Sequence, residues 1–146
     1  MIFNWSMSQE DTLRQGRHVV SALNVHLVFL TKYRRRVITE KIWPTLIAGF
    51  ESAAAKLGVR MREVNHDGDH VHMLVEYPPS LSVSEITNAL KGVSSRMVRR
   101  DCMSAIRQHL WGTHFWSPSY FAASSGGAPL DVIAAYVRDQ RKEKPS

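Results

Sequence analysis

Asp67-Gly68 lies between two alternating runs, 59–66 and 69–77, and nothing else in the chain limits the fold as strongly. Asp-Gly readily takes the positive φ values of a tight reversal, so the two runs are predicted to pair as an antiparallel hairpin. In a strand, alternate residues share a face. Val71, Met73, Val75 and Tyr77 then make an apolar face, while His70 and His72 project side by side from the other. Val59, Met61 and Glu63 are likewise predicted opposite Arg60, Arg62 and Val64. Pro78-Pro79 ends the second run, because proline cannot donate to a strand ladder.

Each side of the hairpin carries a helix and a further strand. Residues 42–57 repeat apolar side chains at helical spacing (Ile42, Leu46, Ile47, Phe50, Ala54, Leu57), and Gly58 supplies a stop. Pro44 fits the first turn, where its missing N–H costs nothing. Ser82 with Glu85 forms a capping box that opens a second helix to about residue 100. Its apolar arc is Val83, Ile86, Leu90, Val93 and Met97; Lys91, Ser95, Arg96 and Arg99 fall outside it. Residues 18–31 and 115–123 are β-branched and aromatic enough for a first and a fourth strand, with Pro118 marking an edge or a bulge. A last helix is predicted over 129–141. The order β-α-β-β-α-β plus one helix is the split βαβ, ferredoxin-like α+β arrangement. Residues 1–17 are polar and aperiodic and are predicted to be a loose lead-in to a single domain, 18–146.

Two helices on one sheet face leave the other face open unless a partner or the last helix covers it. His70 and His72 are predicted to look into that open face. Two imidazoles there make half of a metal site, a pair of proton carriers, or merely two solvated side chains. Asp69 adjoins His70 but by alternation points to the opposite face. On the last helix Tyr136 and Gln140, spaced i and i+4, stack at the margin of the stripe made by Leu130, Ile133 and Val137. A formal net charge of +6 favours a polyanionic partner. The single cysteine, Cys102, excludes an intrachain disulfide framework and points to a reducing, cytoplasmic setting. The longest apolar run, 25–30 with His26 inside it, is far too short to cross a bilayer. His66, His109 and His114 acquire no role.

Asp69-His70-Val71-His72, the 90–96 segment LKGVSSR, the 115–121 block FWSPSYF, and Tyr136 with Gln140 resemble the single-tyrosine HUH transposases of small bacterial insertion sequences. Lys32-Tyr33-Arg34-Arg35 after the first strand is also similar to that family. The resemblance implies that Tyr136 is the nucleophile, attacking single-stranded DNA to leave a 5′-phosphotyrosine and a free 3′-OH. It implies that His70, His72 and Gln140 hold a divalent metal, Mg²⁺ or Mn²⁺. It further implies DNA hairpins at element ends as the bound substrate, and a homodimer whose tyrosine helices complete each other's sites. The small-residue stretch 124–128 is compatible with such a reach. Lys32, Arg34, Arg35, Lys91 and Arg96 are the candidates for phosphate contacts. The alternative is a non-catalytic ferredoxin-like nucleic-acid-binding protein. That would place stacking aromatics on the central strands, where this chain carries histidines.

Overall fold

The computed structural model describes residues 2–4, 13–107, 114–124 and 130–139. Its strands are β1 (Ile2–Asn4), β2 (Arg14–Gln15), β3 (Val20–Ser21), β4 (Asn24–Thr31), β5 (Arg60–His66), β6 (His70–Glu76) and β7 (Trp116–Ser124). The helices are α1 (Trp43–Leu57), α2 (Val83–Asp101), α3 (Met103–Ile106) and α4 (Leu130–Asp139). One antiparallel sheet runs in the order β1-β5-β6-β4-β7. The ferredoxin-like α+β arrangement is therefore present, with β1 added at one edge.

Local chemistry sets most element ends where the sequence places them. Gly58 closes α1 at φ 73°, with its N–H bonded back to the helix, and Gly68 turns the hairpin at φ 69°. The Ser82 hydroxyl accepts from the Glu85 N–H while the Glu85 carboxylate accepts from the Ser82 N–H, both at 3.1 Å. Leu27 and Phe29 of β4 and Val71, Met73 and Val75 of β6 are fully or almost fully buried in the core that α1 and α2 cover. The helices approach closely where Gly49 meets Ser94; an added Cβ on Gly49 would lie 2.7 Å from the Ser94 Cα. That approach explains the stripe on α2. Its fully buried line follows Ile86, Leu90, Ser94 and Val98 in steps of four, while Val83 and Val93 of the predicted arc pack against the core partly buried.

An aromatic cluster locks the layers together. Trp116 of β7 lies 5.8 Å from Phe29, 6.2 Å from Phe50 and 4.7 Å from Phe115, centroid to centroid. Its indole N–H donates to the buried Ser94 hydroxyl at 3.1 Å. Trp116→Ala is expected to lower unfolding free energy by about 3–5 kcal/mol, because a large cavity opens. Urea unfolding checks this: the midpoint should fall with the slope retained.

Two expectations are corrected. The lead-in is not wholly loose: Ile2–Asn4 pairs with β5, and Arg14–Gln15 pairs with β3. Arg14 Nε donates to the buried Glu76 carboxylate at 2.7 Å, so this segment neutralises a charge at the end of β6. The first strand is broken into β3 and β4 rather than continuous over 18–31. In β5 the register shifts between Met61 and Glu63, yet Arg62 and Val64 are both buried on one face, as the predicted alternation requires. Elsewhere β7 matches both readings of Pro118, being an edge strand whose register slips beside it. Cys102 packs against the core, with its thiol 3.4 Å from the Thr45 hydroxyl.

Candidate active site

The sheet face away from α1 and α2 is where the candidate residues meet. Val28 and Leu30 of β4 point there and are buried under Phe121, Tyr136 and Val137. The last helix thus covers part of the face that two-helix packing leaves open. Tyr136 packs its ring on Phe121, centroids 5.2 Å apart, and its hydroxyl donates to the Ser119 hydroxyl at 3.4 Å. Ser119 stands in the irregular part of β7, where its N–H donates to the Ser117 hydroxyl at 3.4 Å.

His70 and His72 face the same side, as alternation predicts. β4 and β6 pair so that Leu30 lies opposite His70 and Val28 opposite His72. The apolar seat of α4 is therefore the row next to the two histidines.

Asp69 departs from its predicted orientation. Its carboxylate accepts from His70 Nδ1 at 2.8 Å and from Arg34 Nε and Nη2 at 3.0 and 2.7 Å. The strand begins at His70, so Asp69 belongs to the turn and is exempt from the two-residue period. Burial pushes the Asp69 carboxyl upward, but hydrogen bonds from His70 and Arg34 outweigh it and hold it below the usual aspartate value. With Nδ1–H committed to Asp69, His70 keeps its Nε2 lone pair for a cation.

His72 has a partner that the sequence pattern does not suggest. His26 of β4 stacks on it at 5.2 Å, with Nδ1 of His26 3.1 Å from Nε2 of His72. Burial, together with the neighbouring His26 and His70, pushes the His72 pKa down. A neutral imidazole is the form that ligates metals. Among the described residues no three His, Cys, Asp or Glu side chains are grouped to hold a metal ion. Gln140, the third ligand that the resemblance implies, lies outside the described residues. Two neutral or held imidazoles on one rigid strand fit a divalent ion that takes further ligands from elsewhere.

The basic candidates divide by what they touch. Arg34 is mostly buried, gripping Asp69 and donating through Nη1 to the Val137 carbonyl. It joins the His70 turn to α4. Tyr33 and Arg34 both take left-handed φ, 59° and 57°, a conformation that costs of order 1–3 kcal/mol for such residues. Lys91 is half-buried, donating to the Ser117 carbonyl at 2.6 Å, and it lines a cleft of about 300 Å³ between α2 and β7 with Asn88, Ser95 and His114. Lys32 lies over the Tyr33 ring at 4.9 Å and Arg35 at 5.7 Å. Arg96 is exposed on α2. Arg34→Ala is expected to cost about 1–3 kcal/mol of stability through loss of charge-assisted bonds. Arg34→Lys should recover only part, lacking the planar fork; thermal unfolding of both variants checks this. His66 packs tilted against Trp43, centroids 4.1 Å apart, His114 is exposed, and His109 lies outside the described residues.

Residues 19–140 match the family described as "Transposase IS200 like". The chain is 27% identical over 132 residues to the ISDra2 transposase TnpA of Deinococcus radiodurans, covering 90% of this chain and 94% of that protein. It is 30% identical over 118 residues to the transposase for insertion sequence element IS200 of Salmonella typhimurium, covering 81% and 76%. A crystal structure from Deinococcus radiodurans R1, assigned there as a transposase, matches with TM-score 0.79 and 28% identity over 87% of this chain and 97% of that one. A REP-associated tyrosine transposase bound to a REP hairpin matches with TM-score 0.56 over 84% and 67%; at 10% identity it bears on the fold alone. No helix among the described residues is long and apolar enough to cross a membrane. Because the matched span takes in the strands of the histidine face and the helix of Tyr136 alike, this chain belongs to the IS200-like transposase family.

Proposed function

We propose that this transposase cleaves and rejoins single-stranded DNA at insertion-sequence ends through a 5′-phosphotyrosine on Tyr136. One observation carries the reading: Tyr136 sits against the sheet face from which His70 and His72 project. A divalent ion, Mg²⁺ or Mn²⁺, would be held by His70 and His72 with Gln140. When bound it polarises the scissile phosphate and stabilises charge in the transition state. Imidazole donors suit Mn²⁺ better than Mg²⁺.

The protein's own residues supply the rest. The Tyr136 hydroxyl loses its proton to solvent as its oxygen forms the bond to phosphorus, while the 3′ oxygen of the upstream nucleotide leaves and takes up a proton from solvent. The Ser119 hydroxyl orients the phenol, and Phe121 fixes its ring. The ester conserves the phosphodiester's energy, so a second 3′-OH can rejoin the strand without a nucleotide cofactor. Lys32, Arg35, Lys91 and Arg96 are proposed as phosphate contacts, with Arg34 serving the site from within. DNA hairpins at element ends are the proposed substrate, as the REP-hairpin complex of a neighbour of the same fold encourages. The test is single-stranded hairpin DNA with Mn²⁺, labelled at either end. A 3′ label should travel with the protein through denaturing electrophoresis, and a 5′ label should be released. No adduct with either label would reject the chemistry.

A homodimer with shared sites belongs to the same proposal. In the single chain α4 rests on its own sheet through Tyr136 and Val137. A second copy offers the identical surface, so the helix can exchange without new contacts. Mixing a His70→Ala subunit with a Tyr136→Phe subunit is expected to restore cleavage, because one composite site then holds both intact residues. Proven heterodimers that stay inactive would reject sharing.

A further inference from the structure

We propose that His26 is the positioning residue for His72: its Nδ1 accepts the His72 Nε2–H and so leaves the His72 Nδ1 lone pair free for a cation. The inference rests on the reading above that His72 holds the divalent ion. In β4 His26 lies opposite Leu74, and Val28 lies opposite His72. The two imidazoles are therefore diagonal neighbours on one face, within reach of each other across the ladder. The rings stack at 28°, and the 3.1 Å separation of His26 Nδ1 and His72 Nε2 is that of a hydrogen bond.

The sense of that bond decides whether His72 can ligate. A neutral imidazole carries one N–H and one lone pair. If His26 Nδ1–H donated, the His72 Nε2 lone pair would be occupied and its proton would sit on Nδ1. His72 would then have nothing left for a cation. If His72 Nε2–H donates instead, its Nδ1 lone pair remains free and His26 carries its own proton on Nε2. Only this sense is compatible with a metal ligand. His70 shows the same design from another direction, with Asp69 holding its Nδ1. Each of the two strand histidines thus has its own partner, one from the turn and one from the neighbouring strand. Partners of this kind fix tautomer and ring orientation, and losing one typically costs 10- to 100-fold in metal affinity.

The experiment measures Mn²⁺ binding to the full chain without DNA, by the free-ion electron paramagnetic resonance signal. His26→Phe keeps a stacked ring but removes the acceptor, and is expected to weaken Mn²⁺ binding by about 10- to 100-fold. His26→Asn places an amide oxygen at the reach of Nδ1 and should restore most of the affinity. A Phe variant binding as tightly as wild type, or an Asn variant no better than Phe, overturns the inference. Should the Phe variant not fold, ¹⁵N shifts of the metal-free wild type decide: the proton must lie on Nε2 of both His26 and His72. An Nδ1–H tautomer of His72 overturns the inference. Wild type that binds no Mn²⁺ at all overturns the metal reading and this inference with it. Wild-type binding unaffected by His26→Phe overturns this inference alone.

Discussion

Tyr136→Phe is expected to abolish the covalent DNA adduct, with cleavage falling by at least about 10³-fold, equivalent to about 4 kcal/mol on the barrier. The substitution removes one oxygen and leaves the ring, so packing on Phe121 and on the Val28 and Leu30 row should persist. The lost contact is a long one, 3.4 Å to Ser119, so thermal stability should move little. The proposed hairpin binding through the basic residues should stay near the wild-type level. Adduct yield, binding and melting temperature measured together separate loss of the nucleophile from loss of the fold. Cleavage by the Phe variant would show that some other group attacks.

The second large effect is expected on the histidine face. Chelation with EDTA should stop cleavage, and added Mn²⁺ should restore it in the wild type. His70→Ala should raise the Mn²⁺ concentration needed by about 10-fold or more, in line with losing one of few ligands. The fold should survive, because the His70 side chain is partly exposed and Asp69 keeps Arg34 as a partner. Double labelling of the DNA then reports whether residual cleavage still goes through the tyrosine. Cleavage that proceeds at full rate in EDTA would remove the metal from the mechanism.

Among the described residues, α4 meets the sheet through Tyr136 and Val137 on the Val28 and Leu30 row, the Tyr136 hydroxyl on Ser119, and the bond from Arg34 to the Val137 carbonyl.

Sequence alone was enough wherever the deciding interaction is local. The Asp67-Gly68 reversal, the Ser82–Glu85 box and the Gly58 stop each involve residues a few positions apart, so the pattern carries the geometry. Alternation placed His70 and His72 on one face because the strand backbone leaves no other choice. The β-α-β-β-α-β order followed from these signals, and with it the ferredoxin-like fold. Tertiary structure decided what depends on register between distant segments. His26 meets His72 only because β4 and β6 pair Val28 with His72, and the one trace in the sequence is a histidine interrupting an apolar run. Asp69 and Arg34 meet across 35 positions because both lie at strand ends, where neither the strand nor the helix period applies. Arg14 reaches Glu76 across 62 positions for the same reason. Local patterns are set by the covalent chain, whereas these pairings are set by which strands lie side by side, and that is decided only when the whole sheet closes over its core.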